Sequence, residues 1–186
     1  KGWQNLQFWG RSEFALEFGN YDVSITTPKD HILNATGVIQ NPKEVFTKEQ
    51  NKRYESSKTS FDKLVFIVTP EEALEAEKSK NTATKTWKFY AENVRDFAFS
   101  SSRKFIWDAM AVDFNGKTVM AYSLYPKEGN PLWEEHSTRV IANTLKVYSD
   151  MTFDYPYPHA TSINAARQGM EYPMICWNGG RPDENG

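Results

Sequence analysis

The sequence contains a single cysteine, Cys176, among 186 residues. One cysteine cannot form an intrachain disulfide, and a zinc site built on several cysteines is excluded for the same reason. Because Cys176 lies in the apolar run Met174-Ile175-Cys176-Trp177, we interpret it as a buried, inert thiol rather than a nucleophile.

The chain also lacks long apolar runs, basic blocks and paired histidines. No stretch approaches the roughly 18 apolar residues that a membrane-spanning helix needs. The net charge is −2 at pH 7 without a positive cluster, so no nucleic-acid partner is expected. His31, His136 and His159 are far apart and lack the i, i+4 spacing that places two imidazoles on one helix face. We therefore expect no catalytic group and no metal site within this chain.

Aromatic residues are plentiful, with six Trp, nine Tyr and twelve Phe. This composition is typical of β-rich domains that pack or bind through large flat side chains. The cluster Trp3, Phe8 and Trp9 favours core packing or a bare interface, and a carbohydrate-stacking platform is the alternative.

The pattern predicts an α+β fold with two parts. Residues 1–99 read mainly as short strands, with clear alternation over Tyr21–Thr26. Residues 100–186 read as the beginning of an α/β domain. The strands predicted before residue 101 are Ser12–Phe18, Tyr21–Thr27, Thr36–Gln40, Leu64–Val68, Thr84–Asn93 and Phe97–Ser100. The first three are bounded by the turn residues Gly19-Asn20, Pro28 and Asn41-Pro42.

Three local signals are sharper. Asn115-Gly116 predicts a β-hairpin that joins Phe105–Phe114 to Lys117–Tyr125. Thr69-Pro70-Glu71-Glu72 predicts a capping box and a short helix ending near Glu77. Asn130-Pro131 predicts a helix start, followed by apolar positions at helical spacing up to about residue 149: Trp133, Val140, Ile141, Leu145 and Tyr148.

Glu171 stands out because it lies in the apolar segment Gln168-Gly169-Met170-Glu171-Tyr172-Pro173. Burying a carboxylate costs several kcal/mol unless a partner compensates it. The chemistry alone favours a permanent structural pairing, and a cleft wall that awaits a cationic ligand is the alternative.

The chain resembles zinc metallopeptidases of the M1, or gluzincin aminopeptidase, family. Gly169-Met170-Glu171-Tyr172-Pro173 is similar to the family's Gly-x-Met-Glu-Asn signature. Asn93-Val94-Arg95-Asp96-Phe97-Ala98-Phe99 resembles the strand that closes its β domain, and Tyr155-Pro156-Tyr157-Pro158 resembles a proline-aromatic turn before the signature. Similar N-domain strands are Phe18-Gly19-Asn20-Tyr21-Asp22-Val23 and Ala35-Thr36-Gly37-Val38.

The resemblance implies a fold and a role. It implies the C-terminal portion of a saddle-like or sandwich-like N-terminal β domain over residues 1–99 and the first portion of a thermolysin-like catalytic domain over residues 100–186. Glu171 would grip the free α-amino group of a peptide, and the backbone of Gly169 and Met170 would hold the peptide itself. Tyr172 stands where the family has Asn. The resemblance therefore does not identify which side chain helps to orient the substrate.

The expected function is therefore that of a fragment of a zinc aminopeptidase. The family's zinc ligands are the two His of a His-Glu-x-x-His motif and a further Glu. These ligands are expected outside the fragment, so we expect the fragment alone to be inactive. The cofactor is zinc in the full-length protein, and the partners are peptides with a free N-terminus. The resemblance also implies a periplasmic or secreted bacterial protein. The alternatives are a non-catalytic binding scaffold of the same fold and a carbohydrate-binding module.

Overall fold

A computed structural model describes residue 7 and residues 16–183. The aromatic cluster Trp3, Phe8 and Trp9 and residues 12–15 of the predicted strand Ser12–Phe18 lie outside the described residues. Residues 16–18 of that prediction are described and do not form a strand, since β1 begins at Gly19. The strands are β1 (Gly19–Pro28), β2 (Ile32–Ala35), β3 (Val38–Ile39), β4 (Val65–Val68), β5 (Thr84–Val94), β6 (Phe99–Ser102), β7 (Ile106–Phe114), β8 (Lys117–Tyr125), β9 (His159–Asn164), β10 (Met170–Tyr172) and β11 (Ile175–Asn178). The helices are α1 (Pro42–Val45), α2 (Lys48–Ser57), α3 (Pro70–Lys78) and α4 (Thr138–Met151), with a 3₁₀ turn at Lys127–Gly129 and a π-helical turn at Trp133–Ser137.

The strands form a six-stranded sheet, a three-stranded sheet and a two-stranded pair. The large sheet has the order β10-β11-β9-β8-β7-β4, the smaller one β1-β5-β3, and the pair is β2-β6. The predicted hairpin is confirmed, since β7 and β8 pair directly across Asn115 and Gly116, whose φ angles are 53° and 90°. Positive φ at both turn residues is the type I′ geometry that Asn-Gly favours.

The strand β9 runs parallel to both of its neighbours, β8 and β11. Parallel neighbours need a crossover connection, and α4 supplies it between β8 and β9. The β-rich α+β fold class is therefore confirmed. The division at residue 99 stays a prediction, although the hydrogen bonding does not follow it: β4 pairs with β7 across that point.

The capping box at Thr69 is confirmed. The Thr69 hydroxyl accepts from the Glu72 amide, and the Glu72 carboxylate accepts from the Thr69 amide at 2.9 Å. The helix it starts, α3, ends at Lys78. A second capping box, Thr47 with Gln50, begins α2 and was not predicted.

The predicted helix after Asn130 forms, but fewer of its apolar side chains are buried than the helical spacing predicts. Trp133 and Leu145 are buried, whereas Val140 and Tyr148 are 59% and 66% exposed. The side chains that α4 buries are mostly small: Thr138, Ala142, Leu145 and Ser149. Small residues allow the helix to lie close to the sheet, so the larger apolar side chains remain at its flanks. Among the described residues, no helix combines the length and the apolar character required to cross a bilayer.

The strand β9 carries polar side chains that are almost fully shielded from water. His159 and Thr161 are 4% and 1% exposed. His159 Nε2 donates to the Gly37 carbonyl at 2.8 Å, and Asn34 Nδ2 donates to the Thr161 hydroxyl at 2.9 Å. Burial lowers the pKa of His159 to about 4, so the imidazole is neutral at pH 7. This face of β9 thereby binds the segment β2–β3.

The opposite face of β9 binds the C-terminal segment. Asn178 Nδ2 donates to the Ser162 hydroxyl at 2.7 Å, and Asn164 Nδ2 donates to the Gly180 carbonyl at 3.1 Å. Alternation along the strand separates the two sets, since successive side chains point to opposite faces. A single short strand thus connects to both ends of the described chain.

A buried carboxylate, Asp108 on β7, joins the sheet to α4. It is 0% exposed and accepts hydrogen bonds from the Tyr125 hydroxyl at 2.6 Å and from the Thr138 hydroxyl. Burial raises the pKa of Asp108 to about 7, against the opposing effect of the two hydrogen bonds. The folded chain therefore holds a proton at Asp108 that the unfolded chain releases near pH 4.

We predict that Asp108 makes the folded state less stable as pH rises from about 4 to about 7. In this window the native state binds more protons than the unfolded state, so raising the pH favours unfolding. Asp108→Asn removes the titrating carboxyl group and with it this pH dependence. The difference in the free energy of unfolding, wild type minus variant, should therefore fall by a few kcal/mol between pH 4 and pH 7, because each pKa unit corresponds to about 1.4 kcal/mol. Urea titrations at both ends of the window measure the difference.

The matched control is Asp22→Asn, an exposed carboxylate on β1. It should leave the pH profile of the wild type unchanged. An Asp108→Asn profile that runs parallel to the wild-type profile would contradict the assigned role.

Candidate functional site

The segment around Glu171 forms β10, which ends the large sheet in the described part of the chain. It pairs antiparallel with β11, with Met170 opposite Trp177, Glu171 opposite Cys176, and Tyr172 opposite Ile175. A strand at the edge of a sheet keeps one row of backbone N–H and C=O groups available to a further strand.

The turn that joins β10 to β11 consists of Pro173 and Met174. Met174 has φ 67°, in the left-handed region, and its side chain is buried at 3% exposure against Ala91 and Val94 of β5. Proline followed by a residue with positive φ matches the φ pattern of a type II turn. The packing of Met174 fixes this turn against the smaller sheet.

Thr36 holds the same turn through its hydroxyl group. The Thr36 hydroxyl donates to the Pro173 carbonyl at 2.9 Å and accepts from the Ala98 amide at 3.1 Å. Thr36 is 0% exposed, so water cannot replace these bonds. The position of the β10–β11 hairpin is therefore set by a residue from the first third of the chain.

Alternation divides the predicted substrate-binding residues between two faces of the sheet. Directly opposite residues of an antiparallel pair share a face. Met170 and Tyr172 therefore lie on the face of Trp177, and Tyr172 packs edge-on against the Trp177 ring with centroids 5.9 Å apart. Glu171 lies on the other face, together with Cys176.

The face that carries Met170 and Tyr172 borders a cavity of about 670 Å³. Its walls are mostly apolar, with one cation from Arg167. The contributing side chains from outside the signature are Phe97, Ala98, Phe99, Ala165, Arg167, Gln168 and Trp177.

The face that carries Glu171 is shared with α4. Cys176 and Asn178 form one wall of an apolar groove of about 530 Å³, and Ile141, Leu145 and Tyr148 form the other. Glu171 is exposed rather than buried. Within residues 16–183, its carboxylate forms neither an ion pair nor a hydrogen bond.

The permanent structural pairing favoured for Glu171 by the sequence is thus not found, and the burial cost does not arise. Glu171 is exposed because of the sheet topology. Its neighbours in sequence are apolar, but β10 lies at the edge of the sheet, where side chains remain accessible to water. Met170 itself is 38% exposed. The alternative interpretation, a carboxylate open to a cationic ligand, fits the geometry.

Cys176 is partly buried, and its thiol lies 3.4 Å from the Thr161 carbonyl. Burial raises the pKa of Cys176, and the nearby negative charge of Glu171 raises it further. A thiol with a raised pKa is a poor nucleophile at pH 7, in agreement with the inert interpretation.

No three His, Cys, Asp or Glu side chains lie close enough to hold a metal ion in the part of the chain that the structure describes. His159 Nε2 already donates a hydrogen bond to the Gly37 carbonyl. His136 is exposed at the start of α4 and lies 3.7 Å from the Glu135 carboxylate. These residues do not fit a zinc site, so the expectation of zinc concerns the full-length protein.

Sequence reasoning identified Gly169, Met170, Glu171 and Tyr172. The structure places Met170, Glu171 and Tyr172 on β10 and Gly169 directly before it. It missed Thr36 and Arg167. Thr36 carries no local signal, because its two partners are more than sixty residues away. Arg167 could have been noted from its position two residues before Gly169.

Comparison with solved structures finds zinc metallopeptidases of the M1 type. The M1 zinc metallopeptidase from Deinococcus radiodurans matches with a TM-score of 0.52 at 13% sequence identity, over 87% of this chain and 30% of that chain. A mutant two-domain M1 zinc metallopeptidase bound to L-arginine gives the same values. A mutant of the Deinococcus radiodurans protein bound to a Tyr-Ser-Ala substrate matches at TM-score 0.50 and 14% identity, over 85% of this chain and 29% of that chain.

At this level of identity the likeness shows the fold alone: a distant, M1-like fold. The chain spans less than a third of the length of these structures. No family model and no curated protein sequence matches the chain.

We predict that Thr36→Val destabilises the chain by roughly 1–3 kcal/mol, because the Pro173 carbonyl and the Ala98 amide lose their buried partner. The shape of the side chain is retained, so no cavity forms. Urea unfolding measures the change. The control is Thr84→Val on β5, an exposed strand position that should be nearly neutral. Equal effects of the two substitutions would contradict the role of Thr36.

A second prediction concerns Gly169, which has φ 75° and open space where a Cβ would lie. Gly169→Ala should therefore cost about 1–2 kcal/mol through backbone strain alone. Gly19→Ala is the matched control, because Gly19 also has open space but no positive φ, and it should be neutral or slightly stabilising. Thermal unfolding of both variants tests this, and equal melting temperatures would refute it.

Proposed function

We propose that this chain is the part of a zinc-dependent aminopeptidase that recognises the free N-terminus of a peptide. The single observation that supports the proposal is the exposed carboxylate of Glu171 on an edge strand, where it has no partner among residues 16–183. The M1-like fold supports it, because the similar solved structures include proteins bound to an amino acid and to a peptide substrate.

The edge strand supplies the binding of the peptide backbone. An extended peptide can add to the free edge of β10 through main-chain hydrogen bonds, a common mode of peptide recognition. Gly169 directly precedes this edge, and a Cβ at its position would meet no other atom within 4 Å, so close approach of a peptide backbone is possible there. Backbone bonding of this kind is independent of the peptide sequence, as a general aminopeptidase requires.

Glu171 supplies the selection for a free amine. A carboxylate and an ammonium form a charge-assisted hydrogen bond that is stronger than a neutral one. A peptide with a blocked N-terminus would leave the carboxylate without its partner, and the lost interaction would discriminate against it. Glu171 thereby fixes the distance from the peptide N-terminus to the bond that is cleaved.

Tyr172, which replaces the family's Asn, has a different role in this proposal. Its side chain packs on Trp177, on the face of the sheet opposite to Glu171. It therefore stabilises β10 and shapes the cavity that also contains Arg167. Contact of Tyr172 with the substrate amine is not expected.

The described residues supply no set of zinc ligands. When bound elsewhere in the full-length protein, zinc would supply an activated water for peptide hydrolysis. The function proposed for this chain is thus substrate binding, and we expect residues 1–186 alone to be inactive.

A non-catalytic scaffold of the same fold is the second candidate function, because the described residues contain no ligand set that would distinguish it from the peptidase. Metal analysis of the purified full-length protein separates the two. One zinc per chain, together with a His-Glu-x-x-His motif in the full-length sequence, supports the peptidase. A metal-free protein without this motif supports the scaffold.

We predict that Glu171→Gln in the full-length protein lowers kcat/KM for free-amine peptides about 30-fold or more. The substitution keeps the size of the side chain but removes the charge, which corresponds to a loss of roughly 2–5 kcal/mol. The zinc content should stay unchanged. Steady-state kinetics with an aminoacyl reporter substrate measures the loss.

The matched control is Glu92→Gln, an exposed carboxylate on β5, which should retain wild-type kinetics. N-acetylated substrate gives a second control, since its slow turnover should be equal in the wild type and in Glu171→Gln. Unchanged kcat/KM for the free-amine substrate would exclude the assigned role of Glu171.

A further inference from the structure

A second cavity, of about 440 Å³, lies away from β10, between the β1–β2 connection, the helices α1 to α3 and the start of β7. Much of its lining is apolar: Ile32, Val45, Phe46, Val68, Ala73, Ala76 and Phe105. Its charged lining residues are Lys29, Asp30, Glu44, Glu72, Lys85 and Arg103. Thr47 and Gln50 are the remaining polar lining residues, so charged and polar side chains face an apolar wall in this cavity. A small-molecule site combines the same two kinds of group.

Two groups that line this cavity lack the hydrogen bonds that burial demands. The Asp30 side chain is 7% exposed, and neither of its carboxylate oxygens has a hydrogen-bond partner among the described residues. Arg103 Nε is likewise buried without a partner in that part of the chain. Arg103 Nη2 and Asp30 Oδ1 form an ion pair at 3.5 Å, a distance that is too long for a good hydrogen bond. Each such group costs roughly 1–3 kcal/mol, and more when it is charged.

The carboxylates other than Asp30 already have partners. Glu72 accepts from Arg53 at 2.5 Å, and Glu44 accepts from Asn41 at 2.8 Å. Asp30 is therefore the carboxylate in this cavity that is left to bind a donor from a ligand.

The cations retain capacity to bind an acceptor. Lys85 uses one of its three N–H groups on the Val45 carbonyl at 3.0 Å. Burial lowers the pKa of Lys85 to about 8, and its ammonium still predominates at pH 7. Together with the unpartnered Arg103 Nε, Lys85 can hold a negatively charged group.

These requirements define a ligand with a donor for Asp30, an acceptor for Arg103 and Lys85, and an apolar body. We infer that the cavity binds a small zwitterion, specifically a free α-amino acid with an apolar side chain. The ammonium pairs with Asp30, the carboxylate pairs with Arg103 and Lys85, and the side chain packs against Val45 and Phe105.

Two simpler ligands fit less well. A phosphate would satisfy Arg103 and Lys85 but would bring its charge against Asp30, at a cost from like-charge repulsion. A polyamine would satisfy Asp30 but would face the three cations Lys29, Lys85 and Arg103. This site does not depend on the peptidase proposal, because neither Glu171 nor β10 contributes to it.

The test is isothermal titration calorimetry of the full-length protein carrying Glu171→Gln, which removes the amine site proposed on β10. The ligands are L-phenylalanine, N-acetyl-L-phenylalanine and L-phenylalaninamide. The expected result is binding of L-phenylalanine, weakened about tenfold or more when either charge is blocked. Asp30→Asn should weaken binding by a similar factor. Ala76→Phe fills the cavity without changing any charge and should abolish binding.

Asp22→Asn, an exposed carboxylate on β1, is the matched control and should bind as the wild type does. Circular dichroism checks that each variant is folded, and Ala76→Phe keeps the test decisive if Asp30→Asn does not fold. The inference is overturned if L-phenylalanine does not bind, which would leave the cavity to water. It is also overturned if Asp30→Asn and Ala76→Phe bind as the wild type does, or if the acetylated compound binds equally well.

Discussion

Hydrogen bonds from the buried polar side chains of β9 hold the large sheet, the segment β2–β3 and the C-terminal segment together. A parallel strand in the middle of a sheet is usually apolar on both faces, because helices or other layers cover it. In β9 each polar side chain instead makes a hydrogen bond outside the strand, to Gly37 and Asn34 on one face and to Asn178 and Gly180 on the other. Asn164 Oδ1 is the one β9 side-chain atom that is buried without a partner among the described residues. Unpartnered, each would cost free energy comparable to a lost hydrogen bond.

These hydrogen bonds position the candidate site. The segment β2–β3, which His159 and Thr161 bind, also contains Thr36, which holds the β10–β11 turn. The other face of β9 orients β11, to which β10 is paired. Both connections converge on the strand of Glu171, so an exposed carboxylate is held on a rigid support. A site built on a supported strand keeps its geometry better than one on a free loop.

Local structure could be predicted from the sequence where a short motif determines it. The Asn115-Gly116 hairpin and the Thr69 capping box need only neighbouring residues, and both are confirmed. Long-range contacts could not be predicted in this way. The exposure of Val140 depends on how closely α4 approaches the sheet, and the exposure of Glu171 depends on β10 lying at the sheet edge. Periodicity within one element contains neither piece of information.

We propose that Glu171 binds the amino group of a peptide, and a crystal structure of the full-length protein with a non-hydrolysable peptide is the measurement that shows this contact or its absence. We expect the peptide to extend along the free edge of β10 with its ammonium nitrogen about 3 Å from the Glu171 carboxylate. A peptide bound only on the opposite face, against Tyr172 and Trp177, with its amine away from Glu171, would exclude this role.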